Sequence, residues 1–209
     1  MKLYDCRTAP SPRRVRIFVA EKELDLDLIA VDLASGEQFR TEFREINPDC
    51  VVPVLELDDG SHLSEVIAIC HYLEEIKPDP ALFGTTAAER AAALMWNAKA
   101  EQQGLWAMAD VFRNTAKGLK GHALPGPDKY EQIPDLAERG RSRVIKFFEK
   151  LNDQLGHREF LAGDSYTIAD ITVLVLADFA ARLKINFADD AANLRRWYDN
   201  VSARPSAAA

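Results

Sequence analysis

The chain has 209 residues, 47% apolar and 28% charged, a size that allows one large domain or two small ones. Its net charge of −7, from 26 Lys and Arg against 33 Asp and Glu, argues against a protein that binds duplex nucleic acid, which needs a basic surface for the phosphates. The chain shows no apolar segment typical of a secretory signal and no apolar run long enough to cross a bilayer, so we expect a cytoplasmic protein without a membrane partner.

The first 77 residues mix strand and helix periodicity. Apolar and turn residues predict strands at 2–5, 27–33, 51–57 and 61–63. Apolar residues at helical spacing predict helices at 12–22, 36–46 and 66–76. The order strand-helix-strand-helix-strand-strand-helix predicts a three-layer α/β domain over residues 1–77.

The remainder of the chain shows only helical patterns. Lys77-Pro78-Asp79-Pro80 interrupts the periodicity, and residues 78–84 are predicted to be a linker. Helices are then predicted at 85–118, 135–154, from 167 onward and at 191–203, with a Gly/Pro-rich loop over 117–128. Thr167 with Asp170 three residues later is a variant of the capping box that begins helices. The sequence therefore predicts an all-helical domain over residues 85–209.

Five local motifs follow one another in a fixed order. They are Leu3-Tyr4 ahead of Ser11-Pro-Arg-Arg-Val-Arg16, Asn47-Pro48, Val52-Pro-Val-Leu55, Leu63-Ser-Glu-Val-Ile-Ala-Ile69 with Tyr72-Leu73, and Phe160-Leu-Ala-Gly-Asp-Ser-Tyr-Thr-Ile-Ala-Asp170. Together they resemble the cytosolic glutathione transferases over essentially the whole chain. The resemblance implies a thioredoxin-like N-terminal domain that holds glutathione, a helical C-terminal domain that offers the pocket for a second substrate, and a homodimer. It also implies glutathione as cosubstrate and no tightly bound cofactor.

The resemblance assigns glutathione-binding roles to residues of the N-terminal domain. The Val52-Pro53 bond is cis in the family, and the residue before the proline turns its backbone groups toward the cysteinyl part of glutathione. Glu65 is expected to meet the γ-glutamyl amine. The Val66 N–H is expected to meet the neighbouring carboxylate, because the free N–H groups of a helix start favour an anion.

Two further residues match the part of the family's site that faces the glycyl end of glutathione. Gln38 stands at a polar position that the family often uses there, and Arg40 is a second candidate for the glycyl carboxylate. Both residues are equally compatible with an exposed helix face. Val66 departs from the family pattern, which has a serine at this position, and the loss of one hydrogen bond weakens binding by about 1 kcal/mol.

The family's usual catalytic residue is missing. The thiol of glutathione ionises like that of a cysteine, with a pKa of about 8.5, and lowering this pKa by about two units needs roughly 2.7 kcal/mol of preferential thiolate stabilisation. The family supplies a Tyr, Ser or Cys near the end of the first strand. Counting back from Arg14, the Ser/Cys position falls on Ala9, which cannot donate, and Tyr4 lies too early for the tyrosine type.

Three interpretations of this departure remain open. In the first, Ser11 is the N-cap of the first helix, accepts from the Arg14 N–H and donates its hydroxyl proton to the sulfur. In the second, the chain is similar to a subgroup that relies on the helix dipole and on a water held by second-domain groups, for which Asn114 and Thr115 are the nearest candidates. In the third, catalysis has been lost.

The cysteines and histidines indicate neither a metal site nor a disulfide framework. The three cysteines are odd in number and outside any C-x-x-C motif, and the four histidines lack metal-ligand spacing. Cys6, at the end of the first strand, is placed for a mixed disulfide with glutathione, but free cysteines are more often small buried apolar residues. Cys70 lies on the apolar face of a predicted helix and is expected in the core.

The leading functional hypothesis is a detoxifying glutathione transferase that conjugates glutathione to small hydrophobic electrophiles or reduces peroxides with it. Trp106, Met108 and Phe112 are the candidates for the acceptor pocket, although an aromatic stripe at helical spacing is also typical of a core. The alternative is a non-catalytic binding or ligand-sequestering module of the same fold, and Ala9 keeps this alternative open.

Overall fold

The computed structural model describes every residue from Met1 to Ala209 and divides the chain into two compact units. The N-terminal unit contains Met1–Pro80, the segment Leu124–Lys129 and Ala209. The C-terminal unit contains Ala81–Ala123 and Tyr130–Ala208. The first change of unit, after Pro80, lies among the residues for which the sequence predicts a linker. No sequence pattern assigns residues 124–129 to the first unit.

The N-terminal unit is built on a four-stranded sheet in the order β2-β1-β3-β4. Its strands are β1 (Lys2–Asp5), β2 (Asp27–Ala30), β3 (Val54–Glu56) and β4 (His62–Ser64). β1 runs parallel to β2 and antiparallel to β3, which is antiparallel to β4. The helices are α1 (Pro10–Glu21), α2 (Thr41–Ile46) and α3 (Val66–Ile76). This mixed sheet with helices confirms the predicted α/β domain and is thioredoxin-like.

Neighbouring residues of the central strands contribute to packing on opposite faces of the sheet, as the alternation of a strand requires. Leu3 of β1 pairs with Leu55 of β3, and neither has any exposed surface. On the other face, Val54 packs in a cluster with Phe43 of α2. Tyr4 meets the Phe43 ring edge-on, with the ring centroids 6.1 Å apart. α1 and α3 also pack against each other.

Two helix boundaries differ from the sequence prediction. The helix predicted at 36–46 is divided into a short 3-10 helix (Glu37–Phe39) and α2, because Arg40 between them is extended. The helix predicted at 12–22 begins earlier, at Pro10. A proline is well suited to the first helical position, since its missing N–H would have no partner there and its φ is already helical.

A buried lysine holds the segment that follows α3. The side chain of Lys22, at the end of α1, has no exposed surface, and its Nζ forms an ion pair with Glu74 of α3 at 2.5 Å. The same Nζ donates to the carbonyls of Lys77, at 2.8 Å, Pro78, at 3.0 Å, and Pro80. All of the ammonium donors are therefore used within the N-terminal unit, as burial of a charge requires.

The C-terminal unit is entirely helical, as predicted. Its helices are α4 (Ala87–Lys99), α5 (Trp106–Thr115), α6 (Pro134–Leu155), α7 (Ile168–Arg182) and α8 (Ala192–Ser202), with 3-10 helices at Lys117–Leu119 and Pro205–Ala208. α7 supplies much of the core, since Ile168–Ala177 is buried throughout. None of the helices combines the length and the apolar character of a membrane-spanning segment.

The single helix predicted at 85–118 contains a wider turn at Ala100–Leu105, with π-helical hydrogen bonding, between α4 and α5. Gly104 lies in this turn, and a Cβ there would come within 2.4 Å of Leu176 Cδ2 on α7. The Gln102 carbonyl accepts from Arg143 Nη2 of α6 at 2.6 Å. The absence of a Cβ at Gly104 thus lets α7 approach closely, while α6 supplies a donor to a carbonyl of the turn.

Side chains close the N-termini of α4 and α7. At α4, Thr86 Oγ1 accepts from the Glu89 N–H at 3.2 Å, and the Glu89 carboxylate accepts from the Thr86 N–H at 3.1 Å. At α7, Thr167 is the predicted N-cap, and both its N–H and its hydroxyl donate to the carboxylate of Asp170, at 2.9 and 3.1 Å.

Asp170 also accepts from two groups outside its own helix. The Leu161 N–H donates to it at 3.1 Å, and Trp197 Nε1 donates at 2.9 Å from α8. Burial raises the pKa of the Asp170 carboxyl, although these donors act in the opposite direction. One buried carboxyl group thus connects the start of α7, the preceding loop and α8.

Candidate active site

The strand register brings four chain segments to one edge of the sheet. Tyr4 of β1 pairs with Val54 of β3, and Val54 pairs with Ser64 of β4. Because β1 and β2 are parallel, Asp5 and Ala30 at their C-terminal ends also pair. Three segments therefore begin here, namely those that follow β1, β2 and β4. The segment that precedes β3 ends here. We call this edge the active edge; its segments contain the predicted residues Ser11, Gln38, Arg40, Val52, Pro53, Glu65 and Val66.

The segment before β3 offers unpaired backbone groups. The Val52-Pro53 peptide bond is cis, which confirms the expectation from the resemblance. Val52 is half-buried, and neither its N–H nor its C=O has a hydrogen-bond partner within the protein. A ligand with an amide or peptide backbone can therefore bond to both groups.

The segment after β4 leaves the start of α3 open. Glu65 is the N-cap residue with φ of 68°, a conformation uncommon for a residue with a side chain. Its side chain is exposed and does not cap the helix, and the first turn of α3 contains no acidic residue. The Val66 side chain is buried. The helix N-terminus therefore presents free N–H groups with the positive end of the helix dipole, beside one carboxylate.

The segment after β1 leaves the start of α1 open in the same way. Ala9 is the N-cap and no side chain caps the helix, so the expectation that Ser11 is the N-cap is wrong. Ser11 occupies the second helical position, between Pro10 and Pro12, which have no N–H. The Arg13 N–H is used by the Ala9 carbonyl at 3.4 Å. Ser11 thus contributes the one free amide of the first turn and a hydroxyl without a partner.

A buried ion pair fixes the loop between β1 and α1. Arg16 of α1 forms a hydrogen-bonded ion pair with Asp5 at the end of β1. Its second terminal nitrogen donates to the Arg7 carbonyl at 3.1 Å. Cys6 lies in this loop, half-buried, with Sγ 3.6 Å from Thr8 Oγ1. The loop that leads to Ser11 is therefore held from both of its ends.

The two residues predicted for the glycyl end follow β2. Gln38 is half-buried in the 3-10 helix, and its Oε1 is enclosed without a hydrogen-bond partner. Arg40 is exposed and precedes α2. A carboxylate accepts hydrogen bonds, so the amide Nε2 of Gln38 and the exposed guanidinium of Arg40 are the groups here that can donate to it, whereas the enclosed Oε1 of Gln38 can only accept.

The acceptor-pocket candidates lie at different depths of the C-terminal unit. Trp106, the first residue of α5, is 67% exposed, whereas Met108 has no exposed surface and belongs to the core. Phe112 is half-buried and packs edge-on against Phe179, with ring centroids 5.5 Å apart. A buried Met108 side chain is not accessible to a second substrate, so Trp106 and Phe112 remain as candidates.

Asn114 is buried and engaged at both ends of its amide. Its Nδ2 donates to the Asp110 carbonyl at 2.8 Å, and its Oδ1 accepts from the Ile133 N–H at 2.8 Å. These bonds join α5 to the start of α6, which is a structural role. The mechanism proposed below therefore does not use Asn114.

Asn47 belongs to one of the five motifs, but the sequence alone assigns its side chain no role. Asn47 is buried, and its amide bonds to two backbone groups of the loop that precedes Val52. The available signal was the Asn-Pro-Asp sequence, since an asparagine side chain commonly bonds to the backbone two residues later.

The sheet topology, the cis-proline segment at the active edge and the helical second unit define a glutathione-transferase fold. Residues 8–76 match the family model of the glutathione S-transferase N-terminal domain, and residues 110–205 match that of the C-terminal domain. The chain belongs to the glutathione S-transferase family.

Several proteins are similar to this chain over nearly its full length. Glutathione S-transferase 2 of Saccharomyces cerevisiae is 34% identical over 209 residues, which cover 99% of this chain and 87% of that protein. The disulfide-bond oxidoreductase YfcG of Escherichia coli is 32% identical, over 98% of this chain and 92% of that protein. The crystal structure of Gtt2 from S. cerevisiae superimposes with a TM-score of 0.90 at 33% identity, covering 99% of this chain and 98% of that one.

Proposed function

We propose that this protein conjugates glutathione to small hydrophobic electrophiles, and that the same thiolate supports glutathione-dependent reduction of peroxides. The observation that carries the proposal is the set of unpaired polar groups at the active edge. Glutathione has two carboxylates, an ammonium group, peptide groups and a thiol, and the edge offers a complementary group for each. A cytoplasmic location is part of this proposal.

The binding roles follow from the charge of each group. The Val52 N–H and C=O bond to the cysteinyl part, Glu65 pairs with the γ-glutamyl ammonium, and the Val66 N–H with the α3 helix start binds the neighbouring carboxylate. Gln38, through its Nε2, and the Arg40 guanidinium donate to the glycyl carboxylate. Each of these interactions replaces water at a group that has no partner within the protein or is exposed to solvent.

Ser11 and the start of α1 stabilise the thiolate. A hydrogen bond donated to a charged group contributes about 1.5–3 kcal/mol, and a helix N-terminus contributes up to ~2 kcal/mol in a partly buried geometry. Together these reach the roughly 2.7 kcal/mol needed to lower the thiol pKa by two units. The thiol proton leaves to solvent, and the thiolate then attacks the electrophilic atom of the second substrate.

The second substrate is proposed to bind on the C-terminal unit, with Trp106 and Phe112 as apolar contacts. A homodimer is also proposed. Leu94 and Met95 of α4 support it, since both are large apolar residues, 40% and 46% exposed, next to each other on one helix. Exposed apolar surface of this kind is compatible with a protein–protein interface.

The test is the pKa of the glutathione thiol when bound, followed by the ultraviolet absorption of the thiolate. Ser11→Ala should raise this pKa by about one unit, and turnover at neutral pH should fall about tenfold. Thr8→Val, which removes a hydroxyl from the same loop, should leave both unchanged. A Ser11→Ala variant with the wild-type thiol pKa would show that Ser11 does not activate the thiol.

The competing function is a binding module without turnover, which the alanine at position 9 favours. Retention of the wild-type protein on immobilised glutathione, combined with turnover of an aryl halide and of an organic peroxide, separates the two functions. Retention with no turnover of any electrophile, peroxide or disulfide would establish the binding module and overturn the transferase.

A further inference from the structure

The loop between α2 and β3 is organised by one side chain. Asn47 follows α2 and is 4% exposed; its N–H donates to the Phe43 carbonyl at 2.8 Å. Its Oδ1 accepts from the Asp49 N–H at 3.1 Å, and its Nδ2 donates to the Val51 carbonyl at 2.9 Å. The Cys50 N–H bonds to the Asn47 carbonyl at 3.0 Å. Asn47 is therefore bonded to both ends of the turn that it begins.

The turn contains a residue in an unfavourable conformation. Cys50 has φ of 55°, in the left-handed region that favours glycine, and its side chain is buried. Such a conformation persists only where the surrounding contacts determine it. The two side-chain bonds of Asn47, one before and one after Cys50, supply such contacts. Removal of the Asn47 amide would leave Cys50 free to return to a negative φ, and the chain after it would rotate.

The bond to Val51 also sets the direction of the Val52 N–H. The C=O of Val51 and the N–H of Val52 belong to one planar trans peptide group and point in opposite directions. By fixing the Val51 carbonyl, Asn47 Nδ2 therefore fixes the opposite face of the same peptide, where the unpaired Val52 N–H lies. The buried Asn47 amide thus orients the Val52 N–H, which is the donor proposed to bond to glutathione.

We propose that Asn47 is a positioning residue for glutathione, which pre-orients the Val51–Val52 peptide without touching the ligand. This inference rests on the proposed function, since it concerns the same site. Because the peptide interacts equally with bound glutathione before and during reaction, its misorientation weakens binding and leaves the chemical step unchanged.

The experiment compares Asn47→Ala and Asn47→Asp with the control Asp49→Ala. Asn47→Asp keeps an oxygen for the Asp49 N–H but has no donor for the Val51 carbonyl. Asp49→Ala removes an exposed side chain from the same turn and keeps its backbone N–H. Glutathione affinity is measured by calorimetry, kcat and KM at a fixed concentration of an aryl halide, and folding by circular dichroism and thermal unfolding.

We expect both Asn47 variants to raise Kd and KM for glutathione about tenfold, with kcat at saturating glutathione within about twofold of wild type. Asp49→Ala should match wild type in each quantity. If Asn47→Ala does not fold, the more conservative Asn47→Asp decides the question. Folded Asn47 variants with wild-type Kd, or with a lower kcat at unchanged KM, would overturn the role of Asn47. Wild-type protein without affinity for glutathione would instead overturn the proposed function.

Discussion

Two helices of the C-terminal unit begin differently from two helices of the N-terminal unit. In the C-terminal unit, side chains bond to the backbone N–H groups at the starts of α4 and α7, through Thr86 with Glu89 and through Asp170 with Thr167. In the N-terminal unit, α1 and α3 start without any side-chain cap, at Ala9 and at Glu65. A missing N-cap side chain destabilises a helix by about 1 kcal/mol. In the N-terminal unit, the two helices that begin at the active edge therefore lack this stabilisation.

The difference between capped and uncapped helix starts distinguishes residues that stabilise the fold from residues that can bind a ligand. A helix start can be satisfied by its own side chains or by an added anion, but the same N–H groups cannot serve both. We therefore expect changes at closed starts to alter unfolding and not glutathione affinity. Changes at open starts should alter the binding or activation of glutathione, and a cap added there should also stabilise the helix.

The largest effect is expected at the closed start of α7. Asp170→Ala removes the acceptor of four buried donors, and each donor left without a partner costs about 1–3 kcal/mol. We predict a loss of at least ~3 kcal/mol in the free energy of unfolding, measured in urea. The exposed Asp164→Ala serves as control and should unfold like wild type. The glutathione affinity of folded Asp170→Ala should stay at the wild-type value, and a specific loss of affinity would contradict the separation.

Closing an open start should have the next largest effect. Ala9→Asp places an acceptor at the N-cap of α1, where the Ser11 N–H is free. This change should raise the free energy of unfolding by about 1 kcal/mol. The same carboxylate opposes a neighbouring thiolate, so the pKa of bound glutathione should rise and turnover at neutral pH should fall more than tenfold. Ala9→Asn, an uncharged cap of similar size, should stabilise equally and reduce turnover less. Equal turnover losses in both variants would exclude the electrostatic explanation.

A smaller effect is expected at the open start of α3. Val66→Thr adds a hydroxyl where the family has one, with nearly the same side-chain volume. One additional hydrogen bond contributes about 1 kcal/mol, so glutathione should bind about fivefold more tightly. Burial of the hydroxyl should lower the unfolding temperature slightly. Calorimetry measures the affinity, and Val66→Ala, which adds no hydroxyl, should not tighten binding.

The smallest effect concerns pH at the closed start of α4. The Glu89 pKa is lowered, chiefly by the hydroxyl of Thr85, with backbone N–H groups of Thr85 and Thr86 contributing. A carboxyl group with a lowered folded-state pKa stabilises the fold above its unfolded-state pKa, and this stability is lost as the pH falls. Glu89→Gln should therefore be less stable than wild type at neutral pH, and the difference should shrink in acid. Urea unfolding at several pH values measures it.

The sequence predicted the parts of the molecule that depend on local chemistry. The bounds of β1 and α3 are as predicted. Thr167 is the N-cap of α7, as predicted, because a capping box depends only on residues that are close in sequence. The order of elements, together with the five motifs, was enough for the fold and the family.

The remaining features depend on tertiary contacts that periodicity does not contain. The helix predicted through residues 85–118 includes a wider turn, in which Gly104 lies close to Leu176 of another helix. Ser11 is not the N-cap, because the helix extends back to Pro10. The bond from Asn47 to the Val51 carbonyl, which carries the proposed positioning role, was missed because it closes over a left-handed Cys50, a conformation that no sequence rule assigns to a cysteine.

Lys22 gives the protein an internal reporter of opening. Its ammonium group is enclosed by the carboxylate of Glu74 and the carbonyls of the segment that follows α3. An acylating reagent such as a succinimidyl ester needs an exposed, uncharged amine, so it should label the surface lysines of the folded protein and spare Lys22. Acylation at Lys22, measured by mass spectrometry of the digested protein, would therefore report local unfolding around the segment that follows α3. This readout is independent of any enzymatic assay.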